Sequence, residues 1–121
     1  YTQNVVKAAS VLWTRQALQN GAAQAVVANS GNANACCPQS HVNAEAMSVS
    51  AAAATGREPG DFVVASTGVI GQTINISAIQ AGLPQAAAAL SADGSDAAAQ
   101  SGMFAAAVLD AVIPSRERHI I

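Results

Sequence analysis

Short Val-rich runs alternate with Ala-rich stretches along this chain. Residues 25–28 and 62–65 are apolar and lead into turn-forming residues, which predicts two short buried strands, and residues 2–7 can form a third. The Ala-rich stretches predict one helix over about residues 10–18 and another from residue 40 or 43 to residue 55. Strands that alternate with helices are typical of an α/β layer architecture, so we expect a layered sheet with Ala-rich helices.

Local signals refine the bounds of these elements. Ser10 is an expected N-cap of the first helix, and Asn75 or Ser77 can cap a short helix further on. Pro84 suits the first position of another helix. A last helix is expected to end near residue 112.

The composition indicates a part of a larger domain or assembly rather than a free-standing domain. Of 121 residues, 51% are hydrophobic but only 3% are aromatic, and 10% are charged. An average globular domain has roughly 25% charged residues. With so little charge to solvate its surface, the chain is expected to be an incomplete domain, or a subunit with large covered faces.

Charge and cysteine usage exclude several classes of function. A net charge of −2 with five basic residues gives no electrostatic footprint for nucleic acid, and no apolar run is long enough to span a membrane. Cys36 and Cys37 are adjacent, a spacing that strains a disulfide, and without clustered His they predict no zinc or other metal site. These features favour a cytoplasmic location. Because the chain begins with Tyr1 rather than Met, we expect its natural N-terminus to be missing.

The main candidate for chemistry is the segment Ala-Ser-Thr-Gly-Val-Ile-Gly at residues 65–71, directly after a predicted strand. A Ser-Thr-Gly turn there exposes backbone N–H groups and small hydroxyls with little steric cover. Such a turn can stabilise an oxyanion or bind phosphate. The alternative is that Thr67 and Gly68 merely form a strand-to-helix turn.

A second segment makes this motif more specific. Residues 26–36 read Val-Val-Ala-Asn-Ser-Gly-Asn-Ala-Asn-Ala-Cys, and residues 4–9 read Asn-Val-Val-Lys-Ala-Ala. Together with residues 65–71, in this order and at this spacing, they resemble the N-terminal part of the ornithine acetyltransferase (glutamate N-acetyltransferase) family. Residues 1–100 resemble that family's α chain. Residues 101–121 depart from it and lack its Thr-Thr-Asp-Thr motif, as a truncated gene, a frameshift or a paralogue would.

The resemblance implies a fold, an activity and a partner. The expected fold is a partial domain of the ornithine-acetyltransferase-like fold. The implied reaction moves an acetyl group from N-acetylornithine to glutamate in arginine biosynthesis. Acetyl-CoA is an alternative acetyl donor, and no other cofactor is implied. Thr67 and Gly68 match the family's oxyanion hole. The family's Thr nucleophile, which self-cleavage at an Ala-Thr bond releases on a β chain, lies in a segment this sequence lacks.

We therefore expect the chain alone to be inactive and to pair with the β chain in a heterotetramer-like assembly. Two alternatives stay open: a non-catalytic paralogue or fragment that pairs with a partner chain, and a small anion-binding module built on residues 66–71. The substrate-binding residues are not predicted. Asn29, Asn32 and Asn34 can either line the site or satisfy their own loop through Asx turns.

Overall fold

A computed structural model describes residues 3–90 and the backbone of residues 107–109. Within these described residues, three helices alternate with three strands, which confirms the α/β prediction. The elements are α1 (Ala9–Ala17), β1 (Ala25–Asn32), α2 (Ser40–Thr55), β2 (Phe62–Val69), α3 (Ile76–Ala88) and β3 (Ala107–Leu109), with short 3-10 turns at Leu18–Asn20 and Pro59–Asp61.

The described strands form one sheet in the order β2-β1-β3. β1 and β2 run parallel, and their register pairs Ala25 with Phe62 and continues without a break to Asn32 with Val69. β3 runs antiparallel to β1 and pairs Val27 with its central residue. β1 is therefore the central strand, and β2 lies at an edge of the described sheet.

The core lies between the sheet and α2 and α3. Val27, Met47, Phe62 and Leu83 are fully buried there. Small residues of α2 (Ala44, Ala51 and Ala52) are also buried, which lets this helix approach the sheet closely. The Ala-rich composition thus serves close packing between layers.

Side chains of α1 cover part of the outer edge of β2. Trp13 Nε1 donates to Phe62 O at 3.2 Å. Thr14 Oγ1 donates to Val64 O at 3.1 Å and accepts from Val64 N–H at 3.2 Å. These bonds occupy backbone groups that an uncovered edge strand would leave unpaired.

Two predictions for the N-terminal region are wrong. Residues 3–8 form no strand, because Asn4 Oδ1 accepts from Val6 N–H at 3.2 Å and closes a local turn instead. Ser10 is not the N-cap, since α1 begins one residue earlier and buries the Ser10 side chain.

The predictions for the region of α3 are partly confirmed and partly wrong. Asn75 is the N-cap, as predicted, and its Oδ1 accepts from Ala78 N–H at 3.2 Å. The expected pair of helices is one continuous helix with Pro84 inside it. Ile79 and Leu83 lie one turn apart and are both buried, so packing keeps the helix continuous past the proline. Where the last helix was expected, residues 107–109 form β3; the rest of that helix lies outside the described residues.

Candidate functional site

The Ser-Thr-Gly segment lies inside β2, not in a turn after it. Ser66, Thr67 and Gly68 pair in register with residues 29–31 of β1, and the strand continues to Val69. The expectation of a strand-to-helix turn is therefore wrong. The polar end of β2 stays extended because β1 has a matching polar end that supplies a ladder partner for each residue.

Two glycines meet where the strands end. Gly31 and Gly68 are register partners with φ angles of 101° and 131°, values that side chains disfavour. A Cβ atom added to Gly68 would lie 2.2 Å from the Gly31 carbonyl carbon. Because Gly68 has no side chain, the β2 backbone can lie directly against the β1 backbone at this pair.

The end of β2 is accessible, and its backbone groups alternate between two sides. Thr67 and Gly68 are both exposed. The Val64 N–H faces Thr14 on the outer edge, whereas Val69 O accepts a backbone N–H from the segment that follows β1. Since backbone groups along a strand alternate in direction, the Gly68 N–H lies on the outer edge as well. This end therefore offers a hydroxyl and a backbone N–H to solvent.

Asparagine side chains hold the neighbouring loop. Asn32 Oδ1 accepts from Asn34 N–H at 2.8 Å, as the Asx-turn alternative predicts. Other amides reach further: Asn29 Nδ2 donates to Asn32 O at 2.9 Å, Asn34 Nδ2 to Ser40 O at 2.8 Å, and Asn32 Nδ2 to Gln72 O at 3.1 Å. These bonds all go to backbone groups, so the three asparagines act as loop supports.

The chemistry of this region rests on neutral groups. Among the described residues, no cluster of three His, Cys, Asp or Glu side chains could hold a metal ion. Cys36 and Cys37 are free thiols, and Cys37 Sγ lies 2.9 Å from Ser40 Oγ. In the same part of the chain, no helix is both long and apolar enough to cross a membrane. The hydroxyls and backbone N–H groups of this region can donate hydrogen bonds.

Sequence reasoning missed Ser30 and Gly31 as partners of the candidate residues. A signal was present, because residues 26–31 read Val-Val-Ala-Asn-Ser-Gly and residues 63–68 read Val-Val-Ala-Ser-Thr-Gly. The observed register superimposes these two segments residue for residue. The sequence thus shows the similarity of the two segments, and the structure shows that they are neighbours.

The architecture is that of a partial α/β domain of the ornithine-acetyltransferase-like fold. The crystal structure of arginine biosynthesis bifunctional protein ArgJ from Bacillus halodurans matches with a TM-score of 0.67 and 34% identity, over 70% of this chain and 46% of that one. The crystal structure of an ornithine acetyltransferase complexed with ornithine, from Mycobacterium tuberculosis, matches with a TM-score of 0.67 and 40% identity, over 70% of this chain and 47% of that one.

Sequence comparison identifies the family. The model of the ArgJ family matches residues 1–112, so the chain belongs to the ArgJ family. The arginine biosynthesis bifunctional protein ArgJ of Symbiobacterium thermophilum is 49% identical over 104 residues, which are 85% of this chain and 26% of that protein. ArgJ 1 of Streptomyces clavuligerus is 45% identical over 100 residues, or 82% and 26%. The chain thus spans about a quarter of the length of the curated relatives it matches.

Proposed function

We propose that this chain is the N-terminal part of an amino-acid N-acetyltransferase of arginine biosynthesis. In this proposal the acetyl group moves from N-acetylornithine, or from acetyl-CoA, to glutamate. The names of the relatives support the pathway and the acetyl transfer. The observation that carries the proposal is the exposed Thr67-Gly68 pair at the end of β2, in a chain of this family.

The role of Thr67 and Gly68 follows from the reaction chemistry. A hydroxyl nucleophile attacks the acetyl carbonyl of N-acetylornithine, so a C–O bond forms and the carbonyl oxygen becomes an oxyanion. The C–N bond then breaks, and ornithine leaves with the proton from the hydroxyl. The glutamate amine then attacks the acetyl ester, so a C–N bond forms and the carbonyl oxygen becomes a second oxyanion. The ester C–O bond breaks as this intermediate collapses, and a proton from the amine passes to the released oxygen, which restores the hydroxyl. Thr67 Oγ–H and Gly68 N–H donate hydrogen bonds to both oxyanions.

The remaining parts of the reaction belong outside these 121 residues. The nucleophile is a threonine on a β chain, which self-cleavage of a precursor at an Ala-Thr bond releases. This chain alone is inactive and joins that β chain in a heterotetramer-like assembly in the cytoplasm. Residues 1–100 are its α-chain-like part and residues 101–121 a divergent tail; this division is part of the proposal, and the family match extends to residue 112.

The test is the Thr67→Val variant of a fusion protein. In this fusion the chain is followed by the remaining part of one of its curated relatives, and we call it the full-length protein. Valine keeps the β-branched shape and removes only the hydroxyl donor. We expect kcat for acetyl transfer from N-acetylornithine to glutamate to fall roughly 10²- to 10³-fold, the usual loss for one oxyanion-hole donor. Gly68→Ala is unsuitable here, since its Cβ would separate the strands.

Thr73→Val is the matched control. Thr73 is also exposed and lies in the segment after β2, outside the proposed hole. Its variant should keep wild-type kcat. Equal activity of the Thr67→Val variant and the wild type would remove Thr67 from the oxyanion hole. A full-length wild type that folds but transfers no acetyl group would favour the non-catalytic paralogue.

A further inference from the structure

The segment that follows the candidate oxyanion hole is held by the loop after β1. The backbone ladder continues past both strand ends: Ala33 N–H donates to Val69 O at 2.9 Å, and Gly71 N–H donates to Ala35 O at 2.9 Å. Residues 69–71 are thus bonded to residues 33–35. The geometry at Gly68 depends on how well this loop is itself held.

One half-buried side chain, that of Asn32, also links the two segments. The Asn32 amide uses both of its ends, with Oδ1 accepting from Asn34 N–H at 2.8 Å and Nδ2 donating to Gln72 O at 3.1 Å. The first bond closes the turn after β1, and the second attaches that turn to the chain that leaves β2. A side chain with only one of these functions would leave only the backbone bonds between the two segments.

The main chain of Asn32 is held in turn by a buried neighbour. Asn29 is buried, and its Nδ2 donates to Asn32 O at 2.9 Å. This bond spans Gly31, the residue with a φ of 101° that faces Gly68. Asn29 therefore fixes the bend that brings the two glycine backbones together, and Asn32 fixes the exit of β2 just beyond them.

We propose that Asn32 is a positioning residue for the oxyanion hole, an inference that rests on the proposed function. Asn32 acts on the reacting oxygen only through Gly68, whose backbone N–H must stay within about 2.7–3.1 Å of the oxyanion. Misplacement of a catalytic group by about 1 Å costs roughly 10²-fold in rate. Loss of the bond to Gln72 O loosens the exit of β2 by a fraction of that distance.

The test is Asn32→Ser in the full-length protein. A serine hydroxyl can still accept from the N–H two residues on, but it cannot reach Gln72 O, and it adds no charge. We expect kcat to fall about tenfold with KM changed less than about twofold, because an interaction made in the transition state is weakened and substrate binding is not. Hydrogen exchange of a peptide that covers residues 66–73 should become faster, with an unchanged melting temperature.

Asn20→Ser is the matched control. Asn20 Oδ1 also accepts an N–H two residues on, from Ala22 at 2.9 Å, but Asn20 lies at the end of the 3-10 turn after α1. Its variant should match wild type in kcat, KM and exchange. If Asn32→Ser does not fold, Asn32→Asp replaces it, since the carboxylate keeps the turn bond and still lacks the donor for Gln72 O.

Each outcome decides one claim. Unchanged kcat in a folded Asn32 variant overturns the positioning role, and so does a raised KM with unchanged kcat, which would indicate a substrate contact. A fall in kcat that only accompanies a large fall in melting temperature shows a purely structural residue and also overturns it. If the full-length wild type transfers no acetyl group, the proposed function fails instead. In that case, unchanged hydrogen exchange over residues 66–73 of the Asn32 variant would show separately that Asn32 does not hold this segment.

Discussion

β1 and β2 share a Val-Val-Ala run and a glycine at paired positions, yet the two strands differ in use. β1 reads Ala-Val-Val-Ala-Asn-Ser-Gly-Asn, and β2 reads Phe-Val-Val-Ala-Ser-Thr-Gly-Val. The parallel register pairs the two Val-Val-Ala runs and then the two glycines. The strands differ at their first residues and at their polar ends, where Asn29 and Asn32 of β1 pair with Ser66 and Val69 of β2.

The side chains account for the different use of these ends. β3 pairs only with residues 26–28 of β1, so among the described residues the two polar ends pair only with each other. The Asn29 and Asn32 side chains of β1 bond backbone groups of the loop and of the segment that leaves β2, whereas Thr67 and Gly68 of β2 are exposed. β1 thus provides support, and β2 provides the accessible donors.

The largest stability effect is expected at the contact between the two glycines. Gly68→Ala places a Cβ 2.2 Å from the Gly31 backbone at a φ of 131°, whereas Gly71→Ala has a φ of 81° and no atom within 4 Å. Strain and overpacking together should lower the free energy of unfolding by about 3 kcal/mol or more for Gly68→Ala, and backbone strain alone by about 1 kcal/mol for Gly71→Ala. Denaturant unfolding of the full-length protein measures both. Equal losses would show that the strands do not meet closely at Gly68.

A smaller effect is expected where α1 covers the edge of β2. Thr14→Val removes the hydroxyl that bonds both backbone groups of Val64. We expect a loss of about 1–2 kcal/mol in the free energy of unfolding, since a donor and an acceptor lose their partner. Thr55→Val is the control, because the Thr55 hydroxyl donates to Ala51 O at 2.8 Å within its own helix, and its loss should be about 0.5 kcal/mol or less. A Thr14→Val variant as stable as the control would mean that α1 does not protect this edge.

The smallest effect is expected at the last residue pair of the two strands, where β2 has a valine and β1 has an asparagine. Val69→Asn gives β2 the residue that β1 has at the paired position. Val69 is 51% exposed, so we expect a change of about 0.5 kcal/mol or less in the free energy of unfolding. A loss clearly above 1 kcal/mol, by the same unfolding measurement, would show that Val69 is packed in the full-length protein.

The predictable parts of the fold were those with strong local signals. The helix expected from residue 40 or 43 to residue 55 is α2, which begins at Ser40, and Gly56 follows it in the left-handed conformation with a φ of 69°. The Val-rich starts of both strands were also predicted, because their burial depends on hydrophobicity. The strand ends were missed, since Asn, Ser, Thr and Gly have low or moderate strand propensity and are extended here only because each has a ladder partner.

The candidate site, like the fold, was predictable only where its signals are local. Thr67 and Gly68 were identified from a motif of adjacent residues together with the family resemblance, and their role as an oxyanion hole stays a prediction. The support from Asn32 could not be predicted, because its bond to Gln72 joins positions 40 residues apart. The Asx turns at Asn32 and the cap at Asn75 are local, and local reasoning found both.

The sequence by itself determined the ArgJ family, the α/β class and the apolar cores of β1 and β2, because each depends on residue type and order along the chain. Only the tertiary structure decided that Gly68 lies against Gly31, that α1 covers the edge of β2 and that Asn32 connects the two strand ends. These features depend on contacts between distant segments. Such contacts form only when hydrophobic burial brings the strands into register.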